Sequence, residues 1–410
     1  MKSVEQHIRD VLELVHPTEP TELDLLQAHG GVLAEPVSAP VSLPRFDNSA
    51  VDGYAVVATD LDGASEQDPA RLPVVADIPA GDTAVVTLRP GQCARIMTGA
   101  PLPGGADAAV PVEWTDGGTG TVTVDRPVTA GNAVRRAGGD VREGDPVLRS
   151  GVRVGPSETA VLAAVGRGRV RVHPRPRVAV LSTGEELVEP GAPLGRGQIW
   201  ESNSYMLATA VRDADGVASR HAATGDDPDS VREAIEDAAA RSDLILTTGG
   251  VSMGAYDAVK EVLSRLGTVW FGKVAVQPGM PQGAGTVGHD RTPILTLPGN
   301  PVSAFVSFQL FVRPLLRALR GLPPDPLPSV RARLAAPGLT SPYGRRSYLR
   351  AVLERDGSDP EVAHTAELAA RQGSHQLSAL ADSNALVVVP EEVTELASGD
   401  VVEAVTLDGT

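Results

Sequence analysis

The sequence predicts a multidomain α/β protein: a parallel, three-layer α/β domain over residues 177–321, a small mostly β domain, a discontinuous helical N-terminal domain and a C-terminal β barrel. Three observations carry this. The chain has 410 residues, more than one hydrophobic core usually organises, so about three or four domains are expected. Between residues 177 and 321, strand-like and helix-like runs alternate, the pattern of a parallel sheet covered by helices. On either side, short β-type runs are divided by Gly and Pro clusters, as in small β domains.

The elements follow in chain order. Residues 4–15 and 22–28 place apolar and charged positions at helical spacing, with Pro17 and Pro20 between them, which predicts two short helices. YAVVA, LPVVADI and VTVD are strands of the β domain, set at 46–140. Residues 152–165 predict a helix that packs beside the first pair, so the N-terminal domain takes 1–45 and 141–176. After the joint HPRPR come RVAVLSTG, SYMLATAVRDA, GVASRHAATG, PDSVREAIEDAAARS, DLILTTGG, AVKEVLSRLG, VWFGKVAV, PILTLPGN and AFVSFQLFVRPLLRALRG, the alternating elements of the α/β domain. GLPPDPLPS is a linker, and VRARLAAP, RRSYLRAVLE, EVAHTAEL, ALVVVPEE and DVVEAVTL are short strands of a small β barrel or sandwich at 327–410.

Hydrophobic residues make up 42% and charged residues 21%, ordinary values for a folded globular protein. The net charge of -16 repels nucleic acid and anionic membranes, so no nucleic-acid or membrane partner is expected. An anionic ligand then needs a local positive site, from helix N-termini, backbone amides, a few Lys or Arg side chains, or a carboxylate-held cation. The one cysteine, Cys93, excludes an internal disulfide and a thiolate cluster, and predicts a small core residue. MKSVEQHIRD is charged where a secretory signal is apolar, and no run reaches the length of a bilayer-spanning helix, so a cytoplasmic protein is expected.

The polar, glycine-rich motifs of the α/β segment fall at the C-terminal ends of predicted strands, where open parallel sheets place their ligands. STGEEL offers the hydroxyls of Ser182 and Thr183, the flexible Gly184 and the carboxylate of Glu186, although a plain strand-to-helix turn accounts for it equally well. In TGDDP, Asp226 and Asp227 precede Pro228 as a helix cap with Pro at N1. TTGGVSMGAYD, with Gly249, Gly250, Ser252 and Gly254, reads as a phosphate cradle because glycines let backbone amides approach closely. LPGNP puts Asn300 at a cap and Pro301 at N1 after Pro298 and Gly299, a helix start whose amide dipoles suit an anion. Outside this segment, PRFDNSAVDGY carries Asp47, Asn48 and Asp52, more than Asx turns explain, while IMTGAPLPGGAD and VRRAGGDVREGD each read as turns by themselves.

Together these strings resemble the molybdopterin molybdenumtransferase family, the bacterial MoeA proteins and the E domain of gephyrin, from residue 44 to residue 374. PRFDNSAVDGYAV, IMTGAPLPGGADAAVPVE, AGNAVRRAGGDV, VAVLSTGEELV, TGDDP, TTGGVSMGAYDAVK, PILTLPGNPVSAF, GRRSYLRA and GSH occur in the family order. The resemblance implies an α/β domain of the molybdopterin-binding type in a four-domain subunit, and a homodimer whose active cleft lies between the α/β domain of one chain and the β domain of the other. It implies a transferase of molybdenum cofactor biosynthesis that inserts molybdate into adenylylated molybdopterin, releases AMP and uses Mg2+. Asp226 and Asp257 are then the metal carboxylates, with Glu186 and the Gly249–Gly254 run lining the nucleotide side. Asp52, Thr98 and Asp140 match positions reaching the cleft from the β domain, and Lys273 matches a family lysine. Arg345 or Arg346, with Ser374, matches positions that hold pterin or molybdate. Contact with the molybdopterin adenylyltransferase or with apo molybdoenzymes is allowed.

One departure stands out: where the family commonly has KPGKP, this chain has QPGMP, so Gln277 and Met280 replace two lysines beside the oxyanion. Weaker capture of molybdate is expected unless Lys273, an arginine or backbone amides compensate, or the chain is a divergent paralogue with an altered substrate. Two other functions compete. A molybdopterin adenylyltransferase would need only the α/β segment, and a non-catalytic gephyrin-like scaffold would not need Asp52, Asp140, Asp226 and Asp257.

Overall fold

The computed structural model describes residues 1–81, 84–221, 225, 227–249, 258–335, 339–356 and 362–407. The chain divides into two compact units, one of residues 1–22, 30–34 and 171–410, the other of residues 23–29 and 35–170.

In the smaller unit, five strands form one sheet in the order Ala108–Pro111, Gly53–Val56, Cys93–Ile96, Ala70–Ile78, Thr121–Val124. Alternation along Gly53–Val56 sends Tyr54 and Val56 into a core with Leu72, Cys93 and Val110, and Ala55 into a second core with Ile78 and Ile96. Cys93 is buried as expected, and burial pushes its thiol up to about 12. Gly53 sits so close to the neighbouring strand that a Cβ would meet the Val110 carbonyl oxygen at 1.9 Å. The predicted helix is Pro156–Ala164, started by Pro156 and by the Glu158 carboxylate, which accepts from the Gly155 amide at 3.0 Å.

In the larger unit, six strands run in the order Val217–Arg220, Arg177–Ser182, Leu244–Thr248, Thr292–Leu297, Pro281–Val287, Val269–Lys273. The first four are parallel, and Pro281–Val287 is antiparallel to both of its neighbours, so the sheet is mixed at one edge rather than wholly parallel. The reason is the short loop at 288–291, which can close a hairpin but not a crossover. Val178 and Val180 face a core shared with Leu207, Val306 and Phe311, while Ala179 and Leu181 face Val231, Ile235 and Val259. Helices therefore cover both faces, giving three layers.

Two further expectations change here. Residues 22–28 do not form a helix: Thr21–Asp24 is a strand and Leu26 is 87% exposed. A segment this short cannot offset helix nucleation without an apolar face to pack. The run Pro301–Leu319 is long and apolar enough to cross a bilayer, with a mean hydropathy of 1.3, contrary to expectation, but it is 72% buried and serves as the core helix of the sheet. A π-helical turn, Phe308–Val312, interrupts it just before Pro314, whose missing N–H and ring do not fit the α-helical register. Val4–Leu12, capped by Ser3, packs Val4 and Val11 into the same core as Phe311 and Leu315.

The C-terminal part of this unit is a closed five-stranded barrel. Arg346–Arg355 pairs with His364–Leu368, then Ser329–Leu334, Val401–Thr406 and Ala385–Val389 follow, and the last pairs back with Arg346–Arg355. Closure leaves no free edge in the ring. The two-residue strand Val276–Gln277 lies parallel to Arg346 and Ser347, so the QPGMP loop passes from the α/β sheet directly onto the barrel.

Candidate substrate site

Three parallel strands end side by side, and their last residues make the candidate site. Gly249 has φ +89°, and a Cβ there would lie 2.8 Å from the Thr183 carbonyl oxygen, so only glycine fits between these strand ends. A Cβ on Gly299 would lie 3.5 Å from the Gly249 Cα, which sets the two glycine backbones face to face. At Gly184, φ +150°, the Glu186 carboxylate oxygens occupy the side-chain space at 2.7 and 2.8 Å. Thr183 is buried, whereas Glu186 is exposed. The Ser182 hydroxyl donates to Glu201 Oε1 at 2.9 Å, so its proton is already committed and it can only accept from a ligand.

Residues 201–204 were not singled out from the sequence. Glu201 is buried, and its carboxylate also accepts from the Ser204 amide at 2.8 Å and the Ser204 hydroxyl at 2.5 Å. Asn203 Nδ2 donates to Thr248 Oγ1 at 2.9 Å and to the Gly299 carbonyl at 2.7 Å. The signal was present as Glu, Ser, Asn and Ser between a tryptophan and an apolar helix, but it reads as an ordinary helix start.

At the long helix, Asn300 holds the N-cap position and Pro301 the first turn, yet the Asn300 side chain makes no capping bond. The Val302 amide donates instead to the Ser374 carbonyl at 3.1 Å, which brings the Gly373–His375 loop to the helix start beside Pro298 and Gly299. A buried arginine holds that loop: Arg350 donates to the carbonyls of Gln376 at 2.9 Å, Arg371 at 2.6 Å and Gly373 at 3.2 Å. Arg350 was missed in the sequence, where it is one more cation on an exposed-looking strand; burial demands acceptors, and the loop carbonyls supply them.

The QPGMP loop packs against the next turn of the same helix. A Cβ on Gly279, φ +104°, would lie 3.1 Å from Ser307 Oγ, and Gln282 Nε2 bridges the Gly279 carbonyl and Ser307 Oγ at 2.6 and 2.7 Å. Arg345 Nη1 donates to Gln277 Oε1 at 3.3 Å and makes no ion pair among the described residues. Arg346 is committed elsewhere, to Glu5 at 2.5 Å and Glu391 at 3.0 Å; burial works against its charge, but those carboxylates hold its pKa above the usual arginine range. Lys273 is exposed at the end of its strand.

In the smaller unit, the three polar loops noted in the sequence lie together. The Ser49 amide donates to the Ala100 carbonyl, Gly99 to Ser49, Ala50 to Ala133 and Gly138 to Pro44. Asp52 Oδ1 accepts from the Thr98 amide at 2.6 Å and the Thr98 hydroxyl at 2.8 Å, which holds its carboxyl below the usual range. Asp47 accepts from Ala137 N at 2.7 Å and from Arg136 at 2.6 Å, so it fastens the turn, while Asp140 is exposed.

Asp226, Gly250, Ser252, Gly254 and Asp257 lie outside the described residues. Asp227 Oδ2 accepts from the Ser230 amide at 2.9 Å and the Ser230 hydroxyl at 2.7 Å, the expected N-cap of Pro228–Arg241. Among the described residues no three His, Cys, Asp or Glu side chains gather as a metal cage. Among the described residues the strand ends offer hydroxyl and carbonyl oxygens, the kind of ligand a hard cation such as Mg2+ accepts.

Fold and strand-end geometry define a multidomain α/β protein whose glycine turns gather at the C-terminal ends of three parallel strands. Comparison with known proteins gives the family. Residues 2–166 match the MoeA N-terminal region (domain I and II), 179–318 a probable molybdopterin binding domain, and 331–407 the MoeA C-terminal region (domain IV). Molybdopterin molybdenumtransferase 2 of Mycobacterium tuberculosis is 49% identical over 97% of this chain and 98% of its own length, and molybdopterin molybdenumtransferase 1 of the same organism is 39% identical over 99% of both. The crystal structure of a molybdopterin biosynthesis MoeA protein from Pyrococcus horikosii superposes with a TM-score of 0.80 at 33% identity, over 100% of this chain and 99% of that one. The chain belongs to the MoeA family of molybdopterin molybdenumtransferases.

Proposed function

We propose that this protein is a molybdenum cofactor biosynthesis transferase that inserts molybdate into adenylylated molybdopterin and releases AMP. The observation that carries the reading is the strand-end edge of Thr183, Gly249 and Gly299, where the Thr183 carbonyl excludes a side chain from Gly249 and leaves its backbone open to a phosphate. Family membership along the whole chain supports the same chemistry and disfavours both the stand-alone adenylyltransferase and the non-catalytic scaffold.

In this reading Gly249, Gly299 and the turn before Pro301 bind the phosphates, and the Thr183 hydroxyl donates where Ser182 cannot. Gly250, Ser252 and Gly254 continue the cradle. Glu186 orients the nucleotide side. Lys273 and Arg345 neutralise molybdate, and the Ser374 loop closes on the pterin, held there by Arg350. Asp226 and Asp257 would hold Mg2+, which would offset charge on the pyrophosphate as AMP leaves. Asp52, Thr98 and Asp140 act from the β domain on substrate held by a partner subunit, so the working form is a homodimer. Its domains follow the boundaries set out from the sequence, 1–45 with 141–176, 46–140, 177–321 and 327–410, and it works in the cytoplasm.

The test is reconstitution. Purified protein, adenylylated molybdopterin, molybdate and Mg2+ should activate an apo molybdoenzyme, and mixing inactive Asp52→Ala with inactive Gly249→Ala chains should restore part of that activity. Failure of the wild-type protein to activate the acceptor would overturn the function, and a strictly monomeric mass at working concentration would overturn the dimer.

A further inference from the structure

We propose that Asn203 is a positioning residue for the nucleotide site, setting the spacing between two phosphate-side turns; this rests on the function proposed above. The orientation of its carboxamide is determined by its partners. The Gly299 carbonyl, at 2.7 Å, can only accept, so nitrogen must face it. The same nitrogen is 2.9 Å from Thr248 Oγ1, whose own proton goes to the Pro298 carbonyl at 3.3 Å. One side chain thus ties the end of Leu244–Thr248 to the turn that opens the long helix. These are the two turns whose glycines, Gly249 and Gly299, face each other.

The anchor is itself held. Glu201 binds Ser204 through its amide and its hydroxyl, and binds Ser182 at the end of Arg177–Ser182, so residues 201–204 clamp three strand ends at once. Asn203 Oδ1 is closed to solvent and has no donor among the described residues, so every polar contact described for the side chain is made by its nitrogen. A residue that merely filled space would not need this arrangement.

Shape and charge separate the two roles. Aspartate has the shape of asparagine but would set a carboxylate oxygen against the Gly299 carbonyl, pushing the turns apart, whereas alanine only releases them. Positioning therefore predicts that Asn203→Asp is worse than Asn203→Ala, and space filling predicts the reverse. The experiment titrates AMP calorimetrically into full-length wild type, Asn203→Ala, Asn203→Asp and the isosteric Thr248→Val, with melting temperature and the molybdate requirement of turnover measured in parallel. The dissociation constant for AMP should rise about tenfold in Asn203→Ala, about thirtyfold or more in Asn203→Asp and about threefold in Thr248→Val, as expected for loss of one or two hydrogen bonds. The molybdate requirement should stay within about twofold of wild type. If Asn203→Asp does not fold, the Ala and Val variants decide alone: unchanged AMP affinity in both overturns the inference. Tighter binding by Asn203→Asp than by Asn203→Ala also overturns it. Wild type that neither binds AMP nor releases it from adenylylated molybdopterin would overturn the proposed function and this inference together.

Discussion

Replacing Arg345 with glutamine removes the guanidinium that stands beside the QPGMP loop. Its Nη1 is 3.3 Å from Gln277 Oε1, so a family lysine has been lost at 277 while a cation from the barrel reaches the same place. At an effective dielectric near 20, a unit charge roughly 4 Å from an anion is worth about 4 kcal/mol before desolvation, and exposure and salt reduce that to about 1 kcal/mol. Half-maximal turnover in Arg345→Gln should then need about fivefold more molybdate, with AMP affinity unchanged. The sign of a second change is the sharper test. Gln277→Lys in the wild-type background sets an ammonium against Arg345 and should give no gain, whereas in the Arg345→Gln background it should restore the lost affinity. A molybdate titration of the four chains reads this directly. An unchanged requirement in Arg345→Gln, or an equal gain from Gln277→Lys in both backgrounds, would refute the compensation.

Gly249→Ala should remove AMP binding with little loss of secondary structure, because φ +89° and a 2.8 Å contact with the Thr183 carbonyl both resist a methyl group; retained affinity would show that the turn is not a phosphate cradle. Asp226→Ala and Asp257→Ala should each abolish Mg2+-dependent turnover, and full activity of both at limiting Mg2+ would remove them as metal ligands. His7 gives a pH prediction. It is buried between Trp270 and Phe311 with neither ring nitrogen bonded among the described residues, and burial, with Lys2 nearby, pushes its pKa down to about 4. The unfolded chain therefore takes up a proton before the folded one. Stability is whole above pH 6.5 and falls by about 3 kcal/mol as pH drops from 6.5 to 4. His7→Phe should flatten the dependence of melting temperature on pH across that window, and an identical slope would assign the acid sensitivity to other groups.

Much of this was legible in the sequence because it depends on local pattern. The alternation of apolar runs at 177–321 and the glycine turns at the strand ends follow from chain period and from φ angles that other residues avoid, so the three-layer domain and the glycine turns at its strand ends could be read directly. Short strands with turn residues allow a barrel or a sandwich, and the pairing of Ala385–Val389 with both Val401–Thr406 and Arg346–Arg355 decides for the barrel. What escaped depends on contacts distant in sequence. Nothing local distinguishes Asn203 from a helix cap, because its partners, Thr248 and Gly299, lie 45 and 96 residues away. Arg350 looks like a surface cation until the 371–376 loop folds over it. The helix expected at 22–28 does not form because helical spacing without a face to pack against does not hold so short a segment, and the antiparallel edge at 281–287 is hidden because strand direction is set by loop length rather than by strand composition.

The central claim, that this chain couples molybdate insertion to AMP release, is tested most directly by single-turnover measurement of AMP from adenylylated molybdopterin with Mg2+ present. AMP should appear only when molybdate is added, in a one-to-one ratio with the metal transferred to an apo molybdoenzyme. AMP release that ignores molybdate, or metal transfer without AMP, would contradict the account.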